Sequence, residues 1–168
     1  MKHLTNILLL LLLIQCSPHP VRAGPPSAKT MGPPSPSAIV AAAAHRHGIP
    51  TGYLEEIWRE ECSNFRIRER RCRNLSTGER GAFQMRKIAA DEIGCNWSAL
   101  GTPGAFSYEA DCAARYLVYE EARCRTVRIN GYTSWDLAQG AYNSHRCKAT
   151  RYVKRIVAQR LAQTDNKP

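Results

Sequence analysis

Apolar residues recur three or four positions apart over most of the chain beyond residue 37. That spacing places them on one side of an α-helix, with polar residues on the other side. The segments with this pattern predict helices at 38–47, 54–65, 81–93, 107–123, 133–142 and 148–162. No segment shows the strict alternation of a half-buried strand, and at most a small hairpin fits residues 66–77. The predicted fold class is therefore mainly α.

The second predicted helix carries an acidic residue on its apolar side. At about 100° per residue, Leu54, Ile57 and Trp58 share one face of this helix. Glu61 falls within that face, whereas Glu60 is rotated off it. A carboxylate among apolar neighbours is costly unless it is paired or functional, and burial would raise its pKa as a general acid requires. Taken alone, the pattern also fits an ordinary glutamate at a helix end, hydrogen-bonded at the rim of the core.

The first 23 residues have the character of a secretory signal peptide. A polar start precedes an apolar run at 7–14 that is too short to span a bilayer, and Val21-Arg22-Ala23 suits a signal-peptidase site. A membrane anchor is one alternative, which the short run argues against. Lipid attachment at Cys16 is another, although Gln15 does not fit the small residue expected before such a cysteine. We therefore expect an exported chain that is periplasmic or secreted, with no stable membrane span.

Composition divides the rest of the chain into three parts. Residues 24–37, GPPSAKTMGPPSPS, are rich in Pro, Gly and Ser and bury too little apolar surface to fold, which predicts a flexible spacer. Residues 38–162 are enough for one domain with its own core, and we expect it to be a monomer. Residues 163–168 are predicted to form a disordered tail.

Cysteine usage supports export. Loss of the leader removes one of seven cysteines and leaves an even set of six, which in a small exported domain predicts disulfides. Fifteen pairings are possible, and a pair between Cys112 and Cys124 is excluded because one helix would hold them about 18 Å apart. Among the rest we favour three pairs: Cys62–Cys72, Cys95–Cys112 and Cys124–Cys147. A zinc site is the rival interpretation, but without a CxxC pair or histidines at ligand spacing we predict no metal.

The chain is basic, with 24 Lys and Arg against 14 Asp and Glu and a net charge of +10. The leader contains Lys2 and Arg22 and no acidic residue, so the mature chain keeps a charge of +8. In an exported protein such a surface suits an anionic polymer such as cell wall, or an anionic membrane surface, and export argues against a nucleic-acid partner. A solvated basic face that aids solubility explains most of these residues equally well.

Three segments are difficult to explain by packing alone. The first is Glu61 followed by CSNF, the second is GERGAFQ at 78–84, and the third is AYNS at 141–144. The two glycines of the second segment suit a tight turn or a close approach to a ligand, and Gln84 offers both a donor and an acceptor. Tyr142 and Asn143 can orient a carboxyl group and hydrogen-bond an acetamido sugar.

In this order the segments resemble the soluble lytic transglycosylase family, which is related to goose-type lysozyme. The family pattern has a glutamate followed by Ser, then G-A-x-G-L-M-Q, then a helix ending in A-A-Y-N, and finally an Arg-Tyr pair. The matching positions span nearly the whole predicted domain: Gly48-Ile49, Leu54, Ile57, Glu61, Gly78, Gly81, Gln84, Tyr116-Leu117, LAQGAYN at 137–143 and Arg151-Tyr152. Each match alone is weak, but four in order at consistent spacing are fairly specific.

The resemblance implies a lysozyme-like fold and cleavage of peptidoglycan glycan strands between N-acetylmuramic acid and N-acetylglucosamine. Glu61 would be the single catalytic residue, first as acid at the glycosidic oxygen and then as base at the C6 hydroxyl, which closes a 1,6-anhydro ring without water. Gln84, Tyr142 and Asn143 would bind the substrate, and no metal or organic cofactor is expected. Some family members open the wall beside secretion systems or pili, and such an apparatus is the further partner that the resemblance suggests.

Several positions depart from the family pattern. Cys62 stands where the family has Ser, so the neighbouring Ser63 is assigned to substrate binding, as is Phe83, which keeps the apolar character of the Leu-Met pair. Glu79 is either a solvated turn residue or a second carboxylate in the cleft, which would allow hydrolysis to a reducing sugar. His145 is interpreted as a surface residue, with a substrate contact as the alternative. Beyond these enzymes, the remaining alternative is a catalytically inactive wall-binding module of a secretion apparatus.

Overall fold

The computed structural model describes residues 32–62 and 78–165, with side chains described up to residue 162. These residues form six α-helices and one turn of 3-10 helix at Trp97–Ala99, all within the compact unit 33–168. The helices are α1 Pro36–Arg46, α2 Tyr53–Cys62, α3 Lys87–Glu92, α4 Phe106–Cys124, α5 Ser134–Ser144 and α6 Arg151–Asp165. The described residues contain two isolated antiparallel bridges and no strand, so the mainly α prediction is confirmed for this part of the chain.

Side-chain caps explain where two of the helices begin. The Ser35 hydroxyl accepts a hydrogen bond from the backbone N–H of Ala38 at 3.2 Å, which starts α1 two residues before the predicted position. Thr133 and Asp136 form a capping box at the start of α5. The Thr133 hydroxyl accepts from the Asp136 N–H at 3.1 Å, and the Asp136 carboxylate accepts from the Thr133 N–H at 2.7 Å. The predicted start of this helix is therefore confirmed.

The predicted helix at 81–93 is wrong in its first part. Residues 81–84 form a turn closed by the bridge between Arg80 and Met85, whose two backbone hydrogen bonds measure 3.0 and 2.9 Å. Gly81 and Gln84 have φ values of 77° and 47°, which an α-helix does not accommodate. The apolar spacing continued across this turn because its apolar residues are buried in the same core as those of α3, which begins only at Lys87.

Helix α4 is the centre of the fold. It packs against α1 and α5 and also contacts α2 and α3. Its core-facing side is made mainly of small residues, which allow the neighbouring helices to approach closely: Ala110, Cys112, Ala113, Ala114, Tyr116 and Leu117. Leu54 and Ile57 of α2 are fully buried in the same cluster. Glu61 lies one helical turn after Ile57 and is therefore held at the edge of this core.

Disulfides connect α4 to the segments on either side of it. Cys95, just after α3, is bonded to Cys112 with a Cα–Cα distance of 6.1 Å, and Cys124 at the end of α4 is bonded to Cys147 at 5.2 Å. Both predicted pairs are confirmed. Cys62 is disulfide-bonded as well, and its predicted partner Cys72 lies outside the described residues.

Some predictions concern parts of the chain that the structure does not describe. These are the signal peptide at 1–23, residues 24–31 of the spacer, residues 63–65 at the end of the second predicted helix, the hairpin at 66–77 and residues 166–168 of the tail. Helix α6 begins at Arg151, three residues later than predicted, and continues to Asp165, so residues 163–165 of the predicted disordered tail are helical. None of the helices in the described part of the chain combines the length and apolar character needed to cross a bilayer.

Candidate active site

A cleft forms where the end of α2, the turn at 78–86, α3, α4 and the end of α5 meet. It is lined by Glu61, Glu79, Gln84, Met85, Arg86, Ala89, Tyr116, Tyr142, Asn143 and His145. Five residues assigned to the site from the sequence are in this set: Glu61, Glu79, Gln84, Tyr142 and Asn143. They come from three segments that are up to 82 positions apart in the chain, and the fold brings them to one place.

Glu61 is the half-buried acid of the cleft, and α6 supplies its main hydrogen bond. The Tyr152 hydroxyl donates to Oε1 of Glu61 at 2.9 Å. Burial raises the pKa of Glu61 to about 7, because the charged form loses solvation. The carboxylate of Glu79 also raises this pKa, while hydrogen bonds from Tyr152 and Asn143 and the charge of Arg86 lower it. Glu61 is therefore protonated in a large fraction of molecules at neutral pH.

The adjacent acid, Glu60, has a different environment. It forms an ion pair with Arg155 on α6. It is not among the residues that line the cleft. Because Glu60 is rotated off the apolar face of α2, the two neighbouring carboxylates have different surroundings. Glu60 is in an ion pair, whereas Glu61 forms no ion pair with a described residue and feels the charge of Arg86 only at longer range.

The turn that carries Gln84 is held by a buried carboxylate from α4. Glu109 is 4% exposed and accepts backbone hydrogen bonds from Ala82 at 2.8 Å and Gly101 at 2.7 Å. A Cβ atom at Gly81 would lie 2.8 Å from Cδ of Glu109, so glycine is required there both for space and for its positive φ. The Gln84 amide donates to the Gly81 carbonyl at 2.8 Å, which fixes its side chain at the cleft wall.

Phe83 contributes to the site through its backbone. Its side chain is 1% exposed and stacks on Phe106, with ring centroids 6.1 Å apart. Its carbonyl oxygen accepts a hydrogen bond from the Tyr142 hydroxyl at 3.0 Å, which joins the turn to α5. The substrate-binding role assigned to the Phe83 side chain therefore has no support from its position, because the ring belongs to the core. Ser63 lies outside the described residues.

Glu79 and His145, for which the sequence left two interpretations each, both line the cleft. Glu79 is 16% exposed and accepts a hydrogen bond from Nε of Arg86 at 3.0 Å, so it is a partly buried cleft carboxylate, unlike a freely solvated turn residue. His145 caps the C-terminus of α5 with a left-handed backbone, φ 54°. One of its ring nitrogens is 3.0 Å from the Tyr116 hydroxyl, so its ring faces the cleft, in contrast to the surface position expected for it.

Three potential metal ligands approach one another at the His145 end of the cleft. Among the described residues, ligand atoms of Glu92, Glu120 and His145 lie within 4.8 Å of one another. Arg123 already donates to both oxygens of the buried Glu120 at 2.8 Å, and the Tyr116 hydroxyl donates at 2.8 Å. A cation would have to displace Arg123, so this group is better explained as a satisfied ion-pair network.

Two residues that support the site were not singled out from the sequence. Tyr152 appeared only as part of the Arg-Tyr match, and its bond to Glu61 depends on packing between helices that are 91 positions apart. Glu109 did offer a signal, because it shares the apolar packing side of α4 with Ala110 and Ala113. An acid on an apolar helix face is the same signal that selected Glu61.

The chain matches no protein family, curated protein or solved structure in comparisons with known proteins. The functional conclusion therefore depends on the geometry and chemistry of the cleft. That geometry provides one carboxylic acid that changes protonation near neutral pH, a second carboxylate held by Arg86, and side-chain amide groups from Gln84 and Asn143.

Proposed function

We propose that this chain is an exported peptidoglycan lytic transglycosylase in which Glu61 is both general acid and general base. The observation that carries the proposal is the state of Glu61: a half-buried acid with a pKa of about 7, facing a cleft and oriented by Tyr152. A residue that must first give and then accept a proton works best when its pKa is close to the working pH. The amide groups of Gln84 and Asn143 in the same cleft suit the acetamido groups of the substrate.

The reaction needs only this one titrating residue. Protonated Glu61 gives its proton to the oxygen that links the two sugars, and the bond from that oxygen to C1 of the muramic sugar breaks. The resulting Glu61 carboxylate takes the proton of the C6 hydroxyl of the same sugar, and O6 forms a bond to C1. The product is a 1,6-anhydro sugar, Glu61 regains its proton, and no water is consumed. Tyr152 stabilises the carboxylate between the two proton transfers, because a hydrogen bond to a charged acceptor is strong.

A second candidate is hydrolysis of the same bond. It is favoured by the presence of Glu79 in the same cleft as Glu61, because most glycoside hydrolases use a pair of catalytic carboxylates. In that reaction Glu79 would activate a water molecule. Its hydrogen bond from Arg86 holds the Glu79 carboxylate in place, but also occupies one of its oxygens.

The two reactions differ in the fate of water, and this provides the test. Purified peptidoglycan is digested with the mature chain in water enriched in oxygen-18, and the released fragments are analysed by mass spectrometry. We expect 1,6-anhydro ends that carry no heavy oxygen. Reducing ends that carry one heavy oxygen would assign the chain to the hydrolases. Tight association with the wall without release of any fragment would identify an inactive wall-binding module.

A further inference from the structure

Eleven of the fifteen described lysines and arginines contact a carboxylate, a ring, a sulfur atom or a backbone carbonyl oxygen. Carboxylates pair with Arg46, Arg59, Arg86, Lys87, Arg123, Arg125, Arg155 and Arg160. The others contact a ring, a sulfur or carbonyl oxygens: Arg80 on Trp97, Arg115 on Cys95, and Arg128 on two backbone carbonyls. Within the described part of the chain, four cations have none of these partners: Arg146, Lys148, Arg151 and Lys154. All four are exposed, and they fall within nine consecutive positions. We call the segment 146–154 the basic segment.

In the sequence, the basic segment begins just after one residue of the cleft and contains another residue that contacts the cleft acid. Asn143, at the cleft wall, comes three positions before Arg146. Tyr152, which donates to Glu61, follows Arg151 directly. The segment thus leads from the end of α5 to the part of α6 that orients the catalytic acid.

The backbone of the basic segment is held in place by several contacts. The Cys124–Cys147 disulfide ties it to α4, and the N–H of Lys148 donates to the carbonyl of Arg146 at 2.8 Å. A Cβ atom at Gly140 would lie 2.9 Å from the Lys148 carbonyl oxygen, so α5 packs directly against the segment. The backbone that carries the four cations is therefore held in place. This reduces the backbone conformational entropy that would be lost when the cations bind a ligand.

The proposed substrate carries negative charges at a regular spacing. Each muramic sugar of an intact wall bears a peptide stem with free carboxylates, whereas a glycan built only of N-acetylglucosamine, such as chitin, is uncharged. Unpaired cations attract such groups and increase the local concentration of the strand that bears them. A carboxylate bound here would replace solvent as the partner of these cations.

We propose that the basic segment binds the carboxylates of the peptide stems and so selects stem-bearing glycan over uncharged glycan. The inference rests on the proposed function, since it assigns the part of the wall polymer that this surface recognises. It adds a second binding surface to the cleft, outside the residues that contact the scissile bond.

The test measures binding in the Glu61→Gln background, so that the wall is not consumed. Insoluble peptidoglycan and insoluble chitin, an uncharged glycan without stems, are each sedimented with the full mature chain. The test variant replaces the four cations of the basic segment with Gln. The matched control loses the same charge elsewhere on the exposed surface: Arg46→Gln, Arg59→Gln, Lys87→Gln and Arg128→Gln. Circular dichroism confirms that both variants are folded.

We expect the test variant to bind stem-bearing wall about tenfold more weakly at 0.1 M salt, since tenfold corresponds to roughly 1.4 kcal/mol spread over four charge contacts. Its binding to chitin should match that of the parent, and the control should stay within about twofold of the parent on both materials. Equal weakening of test and control, or equal weakening on both materials, would overturn the assignment. So would tighter binding of the parent to duplex DNA than to the wall. If the parent sediments with neither material, the proposed function itself fails.

Discussion

The hydroxyl of Tyr152 donates a hydrogen bond to Oε1 of Glu61 across 2.9 Å and joins helix α6 to the end of α2. This bond opposes the effect of burial on the same carboxyl group. Burial favours the neutral acid, and the hydrogen bond favours the carboxylate, so together they leave the pKa of Glu61 at about 7. The balance between these two effects is what makes one residue suitable for both proton transfers of the proposed reaction.

Replacing Tyr152 with Phe removes the donor and keeps the ring. We expect the pKa of Glu61 to rise, because its charged form loses a hydrogen bond worth about 1.5 kcal/mol. The alkaline limb of the pH–activity profile should therefore shift to higher pH by about one unit. The kcat should fall by about tenfold, since the carboxylate formed in the first step is less stable. The measurement is kcat/KM against pH. Tyr119→Phe, a change at an exposed tyrosine of α4, is the control. An unchanged profile for Tyr152→Phe would show that the bond has no influence on the acid.

The raised pKa of Glu61 also predicts how stability depends on pH. Between pH 4.5 and 7 the unfolded chain releases the Glu61 proton while the folded chain retains it, so the wild type loses stability as pH rises. A Glu61→Gln variant lacks this loss. It should equal the wild type below pH 4.5 and become more stable by up to about 3 kcal/mol above pH 7. Chemical denaturation at several pH values measures the difference. A constant difference across this range would mean that Glu61 titrates normally.

The sequence predicts features of the fold and the site that depend on a single helix. It does not predict contacts between residues of different helices. The face of α2 that carries Leu54, Ile57 and Glu61 followed from helical spacing. The even cysteine count predicted disulfides, but it left the pairing open, and the two confirmed pairs were a preference among several possibilities. The contacts of Glu61 with Tyr152 and of Glu109 with Ala82 span 91 and 27 positions, and they depend on how helices pack. Periodicity within one segment contains no information on such pairs.

The turn before α3 shows a second reason for failure. Its apolar residues continue the spacing of the following helix, but Gly81 has a positive φ that ends any helix there. The carboxylate of Glu109 occupies the space beside this glycine. A glycine required by a distant side chain cannot be distinguished in sequence from one that only permits a bend.

Two glycines of this turn provide a matched pair of mutations. Gly81→Ala combines a positive φ with a Cβ atom 2.8 Å from Glu109, whereas Gly78→Ala has a similar φ of 75° and no heavy atom within 4 Å. We expect Gly78→Ala to cost about 1 kcal/mol of unfolding free energy and Gly81→Ala about 3 kcal/mol. Urea denaturation measures both. Equal costs would indicate that only backbone strain, and not the fit to Glu109, determines this position.

Glu109→Gln tests whether the Glu109 carboxylate holds the turn that carries Gln84. The carboxamide has one acceptor oxygen, so its NH2 group would face either the Ala82 or the Gly101 N–H and leave a buried donor unpaired. We expect a loss of about 2 kcal/mol in stability and a lower kcat, because Gln84 is displaced with the turn. Glu92→Gln, an exposed acid on α3, should change neither quantity appreciably. If Glu109→Gln behaved in the same way as Glu92→Gln, the carboxylate would not be what holds the turn.

The most direct test of the central claim compares two adjacent acids. Glu61→Gln and Glu60→Gln each remove one carboxylate from neighbouring positions of α2, but only Glu61 faces the cleft, and Glu60 is paired with Arg155. The measurement is the rate at which each variant releases 1,6-anhydro muropeptides from purified peptidoglycan, followed by mass spectrometry. The account predicts that Glu61→Gln loses at least about a thousandfold in rate, because acid and base roles disappear together, and that Glu60→Gln stays within about threefold of the wild type. Full activity in Glu61→Gln, or loss of activity in Glu60→Gln alone, would contradict it.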